Sequence, residues 1–598
     1  MNPIPRPEYP RMQFRREASW LNLNGDWRCR FDFGKTGVEH EWQKKFAEFD
    51  RDIVVPFCPE SKLSGIGHTD FIESMFYARK ITVPAGWTGK SVLLHFGAVD
   101  YAATVWIDGV EAGRHQGGSA SFTLDITPLV KPGTEQTLAL HALDELRSGC
   151  QGGGKQCTRA DSYGCLYTRV TGIWQTVWLE AVHPACIASC RIIPGVDAGV
   201  FGLAPRFRLD RRGYAFTAIL LAEGKELNRV TVPAATGVPL TVPVPQPRLW
   251  SPADPFLYDF VFELCDETGE LLDRVESYAG LRKVHIEGNR VYLNNEPIFQ
   301  RLVLDQGFYP DGIWTAPSDA ALKRDIELSQ EAGFNGARLH QKVFEERFHY
   351  WADRLGYLTW AEYPNSGLDG NLSEARYRYL EEWQEILARD VNHPSIIAWS
   401  PLNESVQPTP TCLAAAFAEA GSLERYRTFM RNIYDRTKCF DPSRPINDSS
   451  GYLHVKTDLW TAHPYRANAA DLKAAIRPKN SEVMIHAPEH ECGYTGQPYL
   501  LDEWGGFMFI PESHRATAQA SWGYHGIDLK TPEELCAKIE EQADVMLADP
   551  GVAGYCYTQL TDVEQEKNGV YCYDRTPKVP NGALKRIFGK KPDWDKTK

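Results

Sequence analysis

Two glutamates close apolar runs, where an acid is out of place. Ile396-Ile-Ala-Trp-Ser-Pro-Leu-Asn-Glu404 ends in one, and Tyr499-Leu-Leu-Asp-Glu-Trp-Gly505 carries the other at Glu503. A lone buried carboxylate is costly, so such a residue is paired, hydrogen-bonded or holds a proton. Two carboxyl groups facing each other across a sugar suit glycoside hydrolysis: one protonates the leaving oxygen and the other attacks the anomeric carbon. Two salt-bridged residues in strand-end loops would leave the same pattern, and the residues alone leave both accounts open.

The elements that must position this pair begin near residue 281. Strand-like runs at Phe299–Asp305, Gly336–His340, Tyr357–Tyr363, Ile396–Glu404, Pro445–Ser449, Leu459–Tyr465, Tyr499–Trp504 and Val552–Gln559 alternate with helical ones. The helical stretches are Ser318–Ala332, Phe344–Leu355, Glu374–Val391 and Thr411–Lys438. Eight such units predict a (β/α)8 TIM barrel over 281–598, whose catalytic groups sit at the C-terminal strand ends. At roughly 31 residues per unit the two Glu stand about three units apart, on strands four and seven, at one mouth. A doubly wound open sheet usually carries GxGxxG after its first strand, and none is present.

Before the barrel the chain reads as all-β. Ser91–Gly97, Ala103–Asp108, Phe122–Ile126 and Thr137–His141 alternate between turn signals, with Asp108-Gly109 marking a hairpin. This predicts a jelly-roll β-sandwich over 1–183. Short strands at Phe207–Asp210, Ala215–Leu221 and Leu257–Leu264 predict an immunoglobulin-like β-sandwich over 184–280. The glycine-rich Gly149–Gly154 lacks the phosphate-loop spacing.

Composition narrows the partners. A net charge of −13 gives no broad attraction for nucleic acid or an anionic membrane. No window approaches a membrane span, and Met1–Arg16 lacks the apolar core of a secretory signal. The 14 cysteines show no CxxC, so reduced thiols and a cytoplasmic setting are expected. No cofactor is implied, and the oligomeric state is open, a homo-oligomer included. His486-Ala-Pro-Glu-His490 spells a zinc motif, but Pro488 opposes the helix that motif needs, so no metal is expected.

Several segments together resemble glycoside hydrolase family 2, the group of bacterial β-galactosidases, β-glucuronidases and β-mannosidases. Leu23–Trp27 resembles the opening of the family's sugar-binding-like sandwich and Tyr167–Glu180 its closing signature. Asn335–His340 resembles the second barrel strand, and Asn392–Glu404 the acid/base signature. The resemblance implies a retaining exo-β-glycosidase with Glu404 as general acid/base and Glu503 as nucleophile. It implies Asn403 as ligand to the sugar 2-hydroxyl. It implies Arg338 as the guanidinium that keeps Glu503 ionised while Glu404 keeps its proton. Tyr465 resembles the tyrosine beside the nucleophile, and His340 and His463 are candidates to line the pocket. Tyr557 lies where the family often has a tryptophan platform, and Trp504 joins it as a sugar-binding candidate. Asp161 resembles an aspartate that glucuronidases send from the sandwich into the pocket. Asp305, ending strand one, is a candidate hydroxyl binder.

Glucuronidases grip the sugar carboxylate with Asn-x-Lys before a glycine near the chain end. Here that stretch is Glu566-Lys567-Asn568-Gly569. The expectation is therefore a neutral sugar, a β-galactoside or the related α-L-arabinopyranoside, with a β-glucuronide or other β-hexuronide as the alternative. A non-catalytic carbohydrate-binding protein is the rival of another class. The partner in every case is a carbohydrate or glycoconjugate. Long stretches near 477–497 and 506–531 are expected to shape the pocket rim.

Overall fold

The alternating runs of the N-terminal region form strands because each buries one face. In the computed structural model, which describes residues 3–479, 481–517, 521–580 and 582–595, they make two facing sheets. One has four strands and the other six, the latter centred on Ser74–Thr82 and Glu135–Leu143. Trp27, Met75, Tyr77, Leu94, Val105 and Leu140 fill the space between them. Asp108 and Gly109 both take positive φ, 48° and 77°, as the tight hairpin between Ala102–Ile107 and Val110–Gln116 requires.

A second sandwich follows, with three strands on one sheet and four on the other. Its core is Phe201, Leu203, Phe216, Phe260, Phe262 and Val275. The strand expected at Phe207–Asp210 runs instead over Val200–Phe207, and the chain bends at Arg208. The N-terminal segment straps the three units together. Arg6 pairs with Glu345 of the barrel at 2.6 Å, and Arg16 pairs with Asp273 of the second sandwich at 2.8 Å.

The barrel follows its predicted order. Strands Gln300–Asp305, Gly336–Leu339, Leu358–Glu362 and Ile396–Ser400 pair in parallel, each with the next. Trp460–Thr461, Tyr499–Gly505 and Val552–Thr558 continue the ring, and the last pairs with the first. The fifth stave, residues 445–450, is held by single bridges, Trp399 to Ile446 and Asn403 to Ser450. Ser318 caps helix Asp319–Glu331, and Thr531 caps Pro532–Ala548 with Pro532 at its first turn. The single helix expected over Thr411–Lys438 is two, Pro410–Ala416 and Ser422–Phe440. Gly421, at φ 81°, breaks it.

Of the two stretches expected at the rim, 480 and 518–520 lie outside the described residues. All fourteen cysteines are free. No helix among the described residues is long and apolar enough to cross a membrane.

Candidate active site

Strands two, three, four and seven deliver a buried charge network to the C-terminal mouth. Its hub is Arg338, fully buried on strand two. Its guanidinium donates to Glu362 Oε2, Glu503 Oε1 and Asn403 Oδ1, each at 2.8 Å, and to the Asp502 carbonyl at 2.7 Å. Burial opposes that charge, but Glu362, Glu503 and Asp502 outweigh it and keep the guanidinium firmly protonated.

Glu503 accepts a second hydrogen bond from Tyr465 Oη at 2.7 Å. Tyr465 in turn contacts Thr558 Oγ1 and stacks on Tyr524 with ring centres 3.8 Å apart. Adjacent strand residues normally face opposite ways, yet Asp502 and Glu503 both meet this network. A register shift against strand eight between Leu501 and Trp504 makes that local exception.

Glu404 lies just past strand four with φ 45°, a left-handed conformation that strains a non-glycine residue. Its N–H donates to the Ser450 carbonyl at 3.0 Å, which anchors the kink. The carboxylate meets His463 Nδ1 at 2.6 Å. One oxygen of Glu404 and one of Glu503 lie within 4.8 Å of each other. Burial raises the Glu404 carboxyl, but the hydrogen bond and charge of His463, then Lys155 and Tyr452, outweigh it and hold it below its ordinary value. In the free protein the two neighbouring cations favour the ionised form of Glu404, whereas the resemblance implies that it keeps its proton.

Lys155 is the cation that sequence reasoning passed over. The glycine-rich loop before it lies directly on the barrel: Gly153 N–H donates to the Ser366 carbonyl at 2.8 Å and Gly154 N–H to that of Pro364 at 3.1 Å. A Cβ on Gly152 or Gly154 would come within 2.3 Å of a barrel carbonyl, so only glycine permits the approach. Lys155 is half-buried and its ammonium makes no hydrogen bond or ion pair among the described residues, yet Cys165, Glu503, Glu404 and Glu566 outweigh burial and raise its pKa. The charge of Lys567 falls instead on Asp562 and Cys572. Glu566 accepts from Tyr167 Oη and, at 2.8 Å, from Asn568 Nδ2, and burial pushes its carboxyl up to about 7.

This arrangement can place a sugar between two carboxylates, one of them hydrogen-bonded to the arginine hub. Comparison with known proteins agrees with the fold and gives the family. Residues 66–150 match the sugar binding domain of glycosyl hydrolases family 2, residues 214–282 its central domain, and residues 284–587, half of the chain, its TIM barrel domain. The chain belongs to glycosyl hydrolases family 2. A beta-glucuronidase of Paenibacillus borealis is 26% identical over 98% of this chain and 99% of its own length. One of Sus scrofa is 27% identical over 74% of this chain and 70% of its own. A solved beta-glucuronidase of Ruminococcus gnavus in complex with D-glucuronic acid has a TM-score of 0.78 at 20% identity, covering 98% of this chain and 100% of that one. At that identity the likeness carries the fold.

Within this family 2 glycosidase the candidate residues divide. Glu404, Glu503, Asn403, Arg338, His340, His463 and Tyr465 converge. His340 accepts from Arg338 at Nδ1 (2.6 Å), and burial, then Arg338 and Lys155, keep it neutral. Four others do not join them. Trp504 and Tyr557 are fully buried, ring to ring at 5.1 Å and beside Phe588, in the layer between barrel and helices. As neighbour of inward-facing Glu503, Trp504 points away, and neither ring is a sugar platform. Asp305 is buried beside Asp325, Lys342 and Arg575, away from the carboxylate pair. Asp161 is exposed, and the sandwich residue that reaches the barrel mouth is Lys155 instead. His486–His490 form bends and turns rather than a zinc-binding helix, with His490 stacked on Phe417.

Proposed function

We propose that this family 2 glycosidase is a retaining exo-β-hexuronidase, a β-glucuronidase in its best-supported form. Glu404 acts as general acid/base and Glu503 as nucleophile. The closeness of their carboxylate oxygens suits the retaining separation of about 5–5.5 Å between carboxyl groups. Asn403, its Oδ1 held by Arg338, offers its amide N–H to the 2-hydroxyl. The observation that carries the uronide reading is Lys155, an ammonium beside both carboxylates with no partner among the described residues. A sugar carboxylate taken out of water needs such a partner. The curated relatives named beta-glucuronidase support the same reading.

A β-galactoside or α-L-arabinopyranoside is the second reading. It is favoured by the missing Asn-x-Lys, since the acid Glu566 opens that stretch. A panel of nitrophenyl β-glucuronide, β-galacturonide, β-galactoside and α-L-arabinopyranoside tests the choice. Uronides should be cleaved with the higher kcat/KM; faster cleavage of the neutral sugars overturns the proposal.

A further inference from the structure

His463 was expected to line the sugar pocket, but its ring has no nitrogen to spare. Nδ1 lies 2.6 Å from Glu404 Oε1 and 3.5 Å from Glu503 Oε2. Nε2 lies 3.1 Å from Ser450 Oγ and 3.3 Å from Asp502 Oδ1. Ser450 spends its own proton on Asp502 Oδ2, at 2.6 Å, so it faces the ring as an acceptor. Both ring nitrogens thus face acceptors, and only a doubly protonated imidazole satisfies both. A neutral ring protonated at Nδ1 would leave Nε2 facing acceptors, and one protonated at Nε2 could only accept a hydrogen bond from a protonated Glu404, which would turn the acid's proton away from the substrate. The ring is locked in place: a Cβ on Gly451 would fall 2.2 Å from Nε2, so that backbone lies flat against it.

We infer that His463 is a positioning residue, a buried imidazolium held by Asp502 and Ser450 and shared by both catalytic carboxylates, which orients Glu404 and strengthens it as an acid. The inference rests on the roles given to Glu404 and Glu503, whichever sugar is bound. In the first step the Glu503 oxygen bonds to the anomeric carbon as the bond to the leaving oxygen breaks, and the Glu404 proton passes to that oxygen. In the second, a water oxygen displaces Glu503 from the anomeric carbon and a water proton returns to Glu404. His463 neither gains nor loses a proton in the cycle. Its charge stabilises the Glu404 carboxylate formed in the first step.

The other groups around the ring fit this role. Arg338 lies 3.8 Å from Asp502 and binds Glu503, Lys155 acts on Glu404, and Tyr452 packs 5.7 Å from the ring. The charge of His463 helps keep His340 and His486 neutral. Glu503 and Asp502, followed by hydrogen bonds to Asp502 and Glu404, outweigh burial and push His463 up to about 10.

The test is the pH profile of kcat/KM, whose basic limb reports loss of the acid's proton in the free enzyme. Removing a cation this close raises an acid's pKa by about 1–3 units. His463→Asn should therefore move the basic limb up by about that much, and Asp502→Asn should move it the same way by less. Lost activity with an unmoved limb in both variants overturns the inference. Nitrogen NMR of 15N-histidine-labelled wild type reads the ring without turnover, its signal assigned by its loss in His463→Asn or by its shift in Asp502→Asn. An imidazolium signal that persists at pH 8 is expected, and titration near the ordinary 6.5 refutes it. A wrong sugar leaves both readouts intact. A wrong acid appears separately, as failure of azide to rescue Glu404→Gln.

Discussion

Lys155→Met removes an ammonium at the barrel mouth that has no partner among the described residues, and keeps its apolar stem. Lys155 reaches the mouth from the sandwich and pairs with no group among the described residues, so its loss strands no partner and breaks no internal bridge there. A hydrogen bond to a charged group contributes about 1.5–3 kcal/mol. The side chain is only half-buried, so the lower half of that range applies, about 10- to 40-fold in kcat/KM. Lys155 also helps hold Glu404 ionised, and that effect reaches every substrate alike. The ratio of kcat/KM for nitrophenyl β-glucuronide to that for the β-galactoside removes it. The ratio should fall about 10- to 40-fold in Lys155→Met and mostly recover in Lys155→Arg. An unchanged ratio, with the uronide still the better substrate, would refute the idea that Lys155 recognises the carboxylate.

Further outcomes follow from the same geometry. Proton NMR of the first-formed sugar should show the β-anomer; an α-anomer would exclude double displacement at this pair. Glu503→Gln should lose activity by orders of magnitude with every leaving group. Glu404→Gln should still form the glycosyl-enzyme from nitrophenyl substrates, accumulate it, and be rescued by azide as a β-glycosyl azide; the general acid–base share is about 10²–10⁴-fold. Glu566 has a folded pKa raised to about 7 by burial. Its stabilising contribution is complete below its unfolded pKa of about 4.3 and is lost as pH rises through about 7. Melting curves of Glu566→Gln should therefore gain on wild type as pH rises from 5 to about 8; a difference independent of pH would contradict the buried, proton-holding carboxyl.

Much of the molecule was legible because its signals are local. Period-two runs gave the sandwiches, and alternating apolar and amphipathic stretches gave the barrel. Glu404 and Glu503 were found because strand ends of a barrel converge on one mouth, and Arg338 and Asn403 because their segments resemble those of the family. The misses share a physical cause. Trp504 was read as a sugar surface because strand phase is not written beside a bulge; the register shift at Leu501/Trp504 turns Asp502 and Glu503 inward and leaves Trp504 outside. Asp161 was chosen over Lys155 because what brings the sandwich to the barrel is a backbone contact. Its one trace in the sequence is the glycine run at 152–154, first read only as a loop that cannot hold phosphate. Asp502 hid beside the more conspicuous Glu503.

The two carboxylates receive opposite treatment from one set of charges. Glu503, the proposed nucleophile, accepts hydrogen bonds from Arg338 and Tyr465. Glu404 faces cations too, but His463 is shared with Glu503 and Asp502, so its hold on Glu404 depends on the state of the nucleophile. Once Glu503 is esterified by the sugar it carries no charge. The imidazolium then answers to Glu404 and Asp502 alone, and the repulsion between the two carboxylates is gone. Both changes keep Glu404 ionised when it must accept a proton from water. In the free enzyme the charge of Glu503 pulls the other way, toward a proton on Glu404, while a bound sugar excludes water and adds to that pull. On the proposed roles, the alternation of Glu404 between acid and base follows from where Glu503 puts its charge, with His463 fixed between them.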